Sequence, residues 1–343
     1  MIEKLLTPMV KFILRSSPRG ADLPKPITEN YCHNPFKSLS IDLRGDCFVC
    51  DCGGWLPIPV GNILDFADLK EVWTNDIARE LQQDVVDQKF TYCAVKNCEI
   101  LQSSIRKSKY YISVGIDDSC NLACPSCRRE AVNHTSGEIF DITKQRVNHF
   151  VKLLDNFNEP MHIVLCSNGD VLASSIMRPL VLDWQPKANQ TIKLFTNGLL
   201  MKKLLPDSKI LPHVSEFDIS IDAGSSEVYQ IVRRPGNFNI LLENLQWLAD
   251  NKPLKSTVTL IFCLSSMNVN DVVSFVSLCE RFNFNGRIKK IENWNTFDNF
   301  SDYNVLGNSA HPMYNSAIQQ LALVKDNPLI TFSAYINNLL KTV

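Results

Sequence analysis

The chain has 343 residues, 45% hydrophobic and 21% charged, with a formal net charge of -1. That length allows one large core plus a smaller module, and the composition is that of an ordinary globular protein. There is no basic excess for nucleic acid and no acidic tail, and no apolar run approaches the ~20 residues that span a bilayer.

Residues 1–30 read as an N-terminal arm. Ile2, Leu5, Leu6, Met9, Val10, Ile13 and Leu14 have helical spacing, and Pro8 starts or breaks that helix. Lys11 and Arg15 interrupt the apolar stretch and no small-residue cleavage site follows, so no secretory leader is expected. The helix packs on the body or serves as a surface for a partner or a membrane. Residues 31–100 form a cysteine-rich module with a helix expected over 68–82, its buried face being Leu69, Val72, Trp73, Ile77 and Leu81.

After a polar link at 101–110, strands and helices alternate. Strands are expected at 111–116, 162–166, 191–195, 216–221, 257–264 and 287–291. Between them, Val147, Phe150, Val151 and Leu154 mark one helix face, Ile240, Leu241, Leu245 and Leu248 a second, and Val272, Phe275, Val276 and Cys279 a third. Such alternation implies an α/β fold: a parallel sheet with right-handed crossovers, curled or open, binding ligands at its C-terminal strand ends. Residues 101–295 make this body, and 296–343 a C-terminal extension ending in a helix over 335–341.

Twelve cysteines are many for this length, and they cluster. Without a leader, clustering argues for metal rather than disulfides, and for a reducing cytoplasm. Cys120, Cys124 and Cys127 stand at CxxxCxxC spacing directly after the first strand of the α/β series. Thiolates are the ligands of iron–sulfur cubes, and three of them hold three irons and leave the fourth open. A zinc knuckle with a borrowed fourth ligand is the alternative. Cys263 and Cys279 read as core residues, and Cys166 ends the second strand.

The run Cys120-Asn121-Leu122-Ala123-Cys124-Pro125-Ser126-Cys127 resembles the loop of the radical S-adenosylmethionine (SAM) superfamily. Ser126 stands where many members have an aromatic residue. The resemblance implies a partial (βα)6 TIM-like barrel whose open iron binds the amino and carboxylate groups of SAM. Reductive cleavage then gives methionine and a 5′-deoxyadenosyl radical that abstracts hydrogen from substrate. The resemblance also implies contacts at the strand ends. Ser167, Asn168, Gly169 and Asp170 loosely match the family's glycine-glycine-glutamate position, which holds the methionine amino group. Thr196 and Asn197 match a Thr-Asn-Gly run; Ser220, Asp222 and Arg233 match the run beside the ribose and carboxylate; Ser265 and Ser266 lie where adenine rests. As bare sequence, these residues equally suit turns, helix caps and, for Arg233, a surface ion pair.

Ahead of this body, Cys32, Cys47, Cys50, Cys52, Cys93 and Cys98 flank Gly61-Asn62-Ile63 and the Trp73 helix. This pattern resembles a SPASM/twitch auxiliary module, placed before the barrel rather than after it. It implies a second [4Fe–4S] cluster on four of Cys32, Cys50, Cys52, Cys93 and Cys98; zinc also suits such a set. The expected function is a cytoplasmic radical SAM oxidoreductase that takes electrons from a flavodoxin or ferredoxin. Its substrate is a small molecule, a sugar or a peptide, with no nucleic-acid partner and no membrane span. The rival class is a non-enzymatic iron–sulfur or zinc protein acting as electron carrier or scaffold.

Overall fold

The computed structural model describes residues 32–50, 58–93, 109–166 and 168–341. The expected arm helix, Cys52, Cys98 and Ser167 lie outside the described residues. The chain divides into two compact units. One comprises Met1–Ile116, Glu138–Val164 and Lys187–Gln190; the other comprises Asp117–Gly137, Leu165–Pro186 and Thr191–Val343.

The first unit opens with α1 (Asn34–Lys37), β1 (Ser38–Ile41), β2 (Asp46–Phe48) and β3 (Gly61–Asn62). β1 and β2 pair antiparallel through a turn in which Asp42 Oδ1 accepts the N–H groups of Arg44 (2.9 Å) and Asp46 (2.8 Å). Gly45 supplies the left-handed φ of +80° that this turn needs. Asn62 locks the turn from the far side, donating to the Arg44 carbonyl (2.8 Å) and Asp46 Oδ1 (3.0 Å), while Ile63 N–H reaches the Gly45 carbonyl (2.7 Å). The Gly-Asn-Ile segment thus closes a hairpin.

The single helix expected over 68–82 is two: α2 (Glu71–Thr74) and α3 (Asp76–Val86). The break is at Asn75, whose side chain donates to the Glu71 carbonyl (3.0 Å) and caps α3 by accepting from Ala78 N–H (3.0 Å). Local side-chain bonds of this kind compete with helical ones. Trp73 is buried, donates through Nε1 to the Ser38 carbonyl (2.9 Å), and packs 4.7 Å from the Tyr110 ring, which meets Phe157 edge-on at 5.0 Å. β4 (Tyr110–Val114) runs parallel to β1, with Ser38 opposite Tyr111. α4 (Glu138–Asn156) buries Val147, Phe150 and Leu154, and β5 (Met161–Leu165) completes the strand order β5-β4-β1-β2-β3.

The second unit contains α5 (Arg178–Asp183), β6 (Gln190–Thr196), α6 (Met201–Leu204), β7 (Val214–Ser220), α7 (Ser226–Val232), α8 (Phe238–Asn251), β8 (Thr257–Leu264), α9 (Val272–Phe282), β9 (Asn285–Lys290), α10 (Tyr314–Val324), β10 (Ile330–Phe332) and α11 (Ala334–Leu340). Its strands run in the order β10-β9-β8-β7-β6, each neighbouring pair parallel. Leu260, Ile261 and Phe262 of β8 are buried in succession, the pattern of a strand covered on both faces. All six expected strands are present, with ends within two residues of those read from periodicity. The extension adds β10 beside β9. Cys279 is buried on α9, where burial pushes its thiol up to about 12. Parallel pairing puts Asn197, Asp222 and Ser265, which follow β6, β7 and β8, on one edge. Among the described residues, no helix is long and apolar enough to cross a membrane.

Trp73→Ala removes both the indole bond and the aromatic contacts. It should lower unfolding free energy by about 3–5 kcal/mol, measured by denaturant titration, with Trp73→Phe costing clearly less.

Candidate cluster and cofactor site

Cys120, Cys124 and Cys127 lie on a loop of the second unit with almost no regular structure. Its ends are clasped where Cys120 N–H donates to the Val132 carbonyl (2.7 Å). The Cys124 carbonyl accepts from both Cys127 N–H and Arg128 N–H (2.9 Å each), coiling Cys124-Pro125-Ser126-Cys127 into a tight turn. Ala123 N–H donates to the Arg234 carbonyl (2.7 Å), and Arg234 Nε donates back to the Ala123 carbonyl (2.8 Å). Leu122 is buried and anchors the loop.

The segment after β5 lies directly on the start of this loop. Asn168 N–H donates to the Asp117 carbonyl and Asp170 N–H to the Ser119 carbonyl, both at 2.8 Å. A Cβ at Gly169 would sit 2.0 Å from the Ser119 carbonyl oxygen and 2.6 Å from that of Asp118, so only glycine fits. Arg128 spans the same contact, its guanidinium donating to the Asp118 and Asn168 carbonyls.

Asp170 is fully buried, and both its oxygens are engaged within the protein. Oδ2 accepts from Thr196 Oγ1 (2.8 Å) and Asn197 N–H (2.6 Å); Oδ1 accepts from the N–H groups of Leu172 (3.0 Å) and Ala173 (3.2 Å). Burial pushes its pKa up, while these hydrogen bonds pull the other way. Thr196 is engaged too, since its Oγ1 also accepts Gly198 N–H (3.1 Å). Asn197 turns toward the loop: its Nδ2 donates to Asn121 Oδ1 (2.8 Å) and lies 3.9 Å from Cys120 Sγ.

Beyond β7, Asp222 has φ +51° and joins two elements. Oδ1 accepts Cys263 N–H (2.7 Å) and Oδ2 pairs with Arg233 Nη2 (2.6 Å), with the two side chains only 6% and 12% exposed. Arg233 Nη1 points at Cys124 Sγ (3.7 Å). Cys263 is half-buried, and burial together with Asp222 pushes its thiol up to about 12. Ser220 ends β7, half-buried.

The three sulfurs sit in graded exposure: Cys124 is 5% exposed, Cys120 intermediate and Cys127 exposed. Burial pushes the thiols of Cys120 and Cys124 above the usual range. N–H donors already surround the inner two: Leu122 N–H lies 3.4 Å from Cys120 Sγ, beside the Asn197 and Arg233 contacts. Soft thiolate donors ringed by N–H groups suit an iron–sulfur cluster, whose sulfurs accept such bonds. In the first unit, Asn34 Nδ2 lies 3.6 Å from Cys50 Sγ, and Cys32 and Cys93 are half-buried. Cys47 is buried on β2 of the hairpin. Sequence reasoning did not find Arg128, whose adjacency to Cys127 was its only signal, or the reach of Asn197 to Asn121.

Residues 116–279 match the model of the radical SAM superfamily, and residues 32–99 that of the SPASM iron–sulfur cluster-binding domain. The chain thus carries a radical SAM domain, with a SPASM domain N-terminal to it. The first domain implies a [4Fe–4S] cluster and SAM, and the second implies auxiliary iron–sulfur clusters. Among solved structures, Streptococcus suis SuiB bound to S-adenosylmethionine matches with a TM-score of 0.42 and 11% identity, covering 90% of this chain and 72% of SuiB. TYW1 with a lysine-pyruvate adduct matches with a TM-score of 0.40 and 16% identity over 61% of this chain and 70% of that one. Native anSMEcpe with bound AdoMet gives 0.43 and 16% over 68% and 65%. No curated protein matches the chain.

Asp222→Asn leaves Arg233 buried without a charged partner. Breaking such a pair should cost about 3–5 kcal/mol, read as a lower denaturation midpoint. Gly169→Ala should cost at least about 1–3 kcal/mol and reduce iron retained per chain after anaerobic loading.

Proposed function

We propose that this chain reductively cleaves S-adenosylmethionine and abstracts hydrogen from a small-molecule, sugar or peptide substrate, as a cytoplasmic oxidoreductase-type enzyme. The observation that carries this reading is the three-cysteine loop, whose inner two sulfurs are turned to N–H donors from Leu122, Asn197 and Arg233. Cys120, Cys124 and Cys127 would hold three irons. The bound cluster and SAM together supply a 5′-deoxyadenosyl radical on one-electron reduction, with a flavodoxin or ferredoxin as electron donor.

The protein's own part is positioning. Asp170 and Thr196 buckle the ends of β5 and β6 behind the site, which leaves Asn197 as the polar group directed at the loop. Asp222 holds the Arg233 guanidinium against Cys124, where its charge favours the thiolate form. Ser167, Asn168, Gly169 and Ser220 are proposed as cofactor contacts beside them. The auxiliary cluster is assigned to four of Cys32, Cys50, Cys52, Cys93 and Cys98. Functionally the chain is read as an arm (1–30), an auxiliary module (31–100), a radical SAM core (101–295) and an extension (296–343).

The test is anaerobic reconstitution with iron and sulfide, followed by dithionite and SAM. 5′-Deoxyadenosine should form with the wild-type chain, and Cys124→Ala should abolish it. A colourless protein that binds zinc and releases no 5′-deoxyadenosine would replace this reading with a metal-binding scaffold.

A further inference from the structure

Directly before the cluster loop, the second unit carries a group that the proposed reaction does not use. Ligand atoms of Asp117, Asp118 and His134 all lie within 4.8 Å of one another. His134 Nε2 and Asp118 Oδ1 are 2.7 Å apart, which partners those two side chains. Asp117 is the anomaly. It is 1% exposed, its Oδ1 accepts one bond from Ser119 Oγ (3.2 Å), and its Oδ2 is buried with no hydrogen-bond partner.

An ionised carboxylate oxygen so placed bears the full cost of desolvation. Arg128, the cation that the loop itself supplies, is turned to the backbone carbonyls of Asp118 and Asn168 and leaves the Asp117 carboxylate unneutralised. A bound cation satisfies all three groups at once. Two carboxylates and one imidazole make a mixed, mainly hard donor set, which fits a small first-row divalent ion of the manganese type and not the soft-metal chemistry of the cysteines.

The geometry points to a divalent-cation site on Asp117, Asp118 and His134, separate from the cluster ligands. We infer that it neutralises the buried Asp117 and ties residue 134 to the start of the cysteine loop. Ser119 reinforces the same tie, its Oγ accepting His134 N–H (3.1 Å).

The test is Mn2+ titration of the full-length, iron-loaded chain, following loss of the free-ion EPR signal, with iron content measured on the same samples. One Mn2+ per chain should bind. His134→Gln and Asp117→Asn should each weaken binding at least tenfold while keeping the wild-type circular dichroism. His134 is near the surface, so its variant keeps the test open if the Asp117 variant does not fold. No stoichiometric uptake by the wild type, or equal uptake by the wild type and His134→Gln, would overturn the site and leave Asp117 to a buried water. The readout is independent of 5′-deoxyadenosine formation, so failure here and failure of the proposed reaction are separable.

Discussion

The closest constraint in the second unit is backbone on backbone: residues 117–119 lie against residues 168–170 so tightly that no side-chain carbon fits at Gly169. The cysteine loop has no helix or sheet to shape it, so its course is set by what its backbone touches. From that contact the order spreads outward. Asp170, fixed by its own N–H on Ser119, takes hold of Thr196 and Asn197 with its carboxylate. Asn197 then reaches the loop again at Asn121, and the reciprocal bonds between Ala123 and Arg234 secure it from the α7 side. A site held by fixed backbone groups keeps its geometry before any ligand arrives, which is the condition for preorganised chemistry.

Burial then decides how charge is handled. Asp170, Asp222 and Arg233 are almost without solvent, and each finds compensation inside the unit: Asp170 from four donors, Asp222 from Cys263 N–H and Arg233. The thiols of Cys120 and Cys124 are pushed upward by the same burial. An apo loop of this kind favours neutral thiols, and the positive charge of a bound metal is what makes them thiolates.

Periodicity made the six strands and their helices legible, because buried runs such as Leu260-Ile261-Phe262 and helix faces such as Val272, Phe275, Val276 and Cys279 have no other use. The cysteine spacing made the loop legible for a chemical reason. Two kinds of feature stayed hidden. The short strands β1 to β3 are defined by turn chemistry at Asp42, Gly45 and Asn62 more than by hydrophobic pattern, and the break at Asn75 depends on a side chain competing with its own helix. The direction of a polar side chain is the other. Spacing placed Asp170, Thr196 and Asn197 at strand ends, but only the folded geometry turns Asp170 and Thr196 into the protein and Asn197 toward the loop.

The forward position of the SPASM domain has a physical explanation in the first unit. β1 pairs in parallel with β4, and parallel neighbours need a long crossover between them. Residues 42–109 connect the two strands, and they carry β2, β3, α2 and α3. The SPASM match over residues 32–99 thus falls largely on the connection between β1 and β4. β1 also covers one edge of β4, and Leu39, Ile41, Ile112 and Val114 from the two strands are all buried. Without β1, that edge of β4 would present unpaired backbone groups. The pairing of β1 and the protection of β4 are therefore one requirement, met by the same hydrogen bonds.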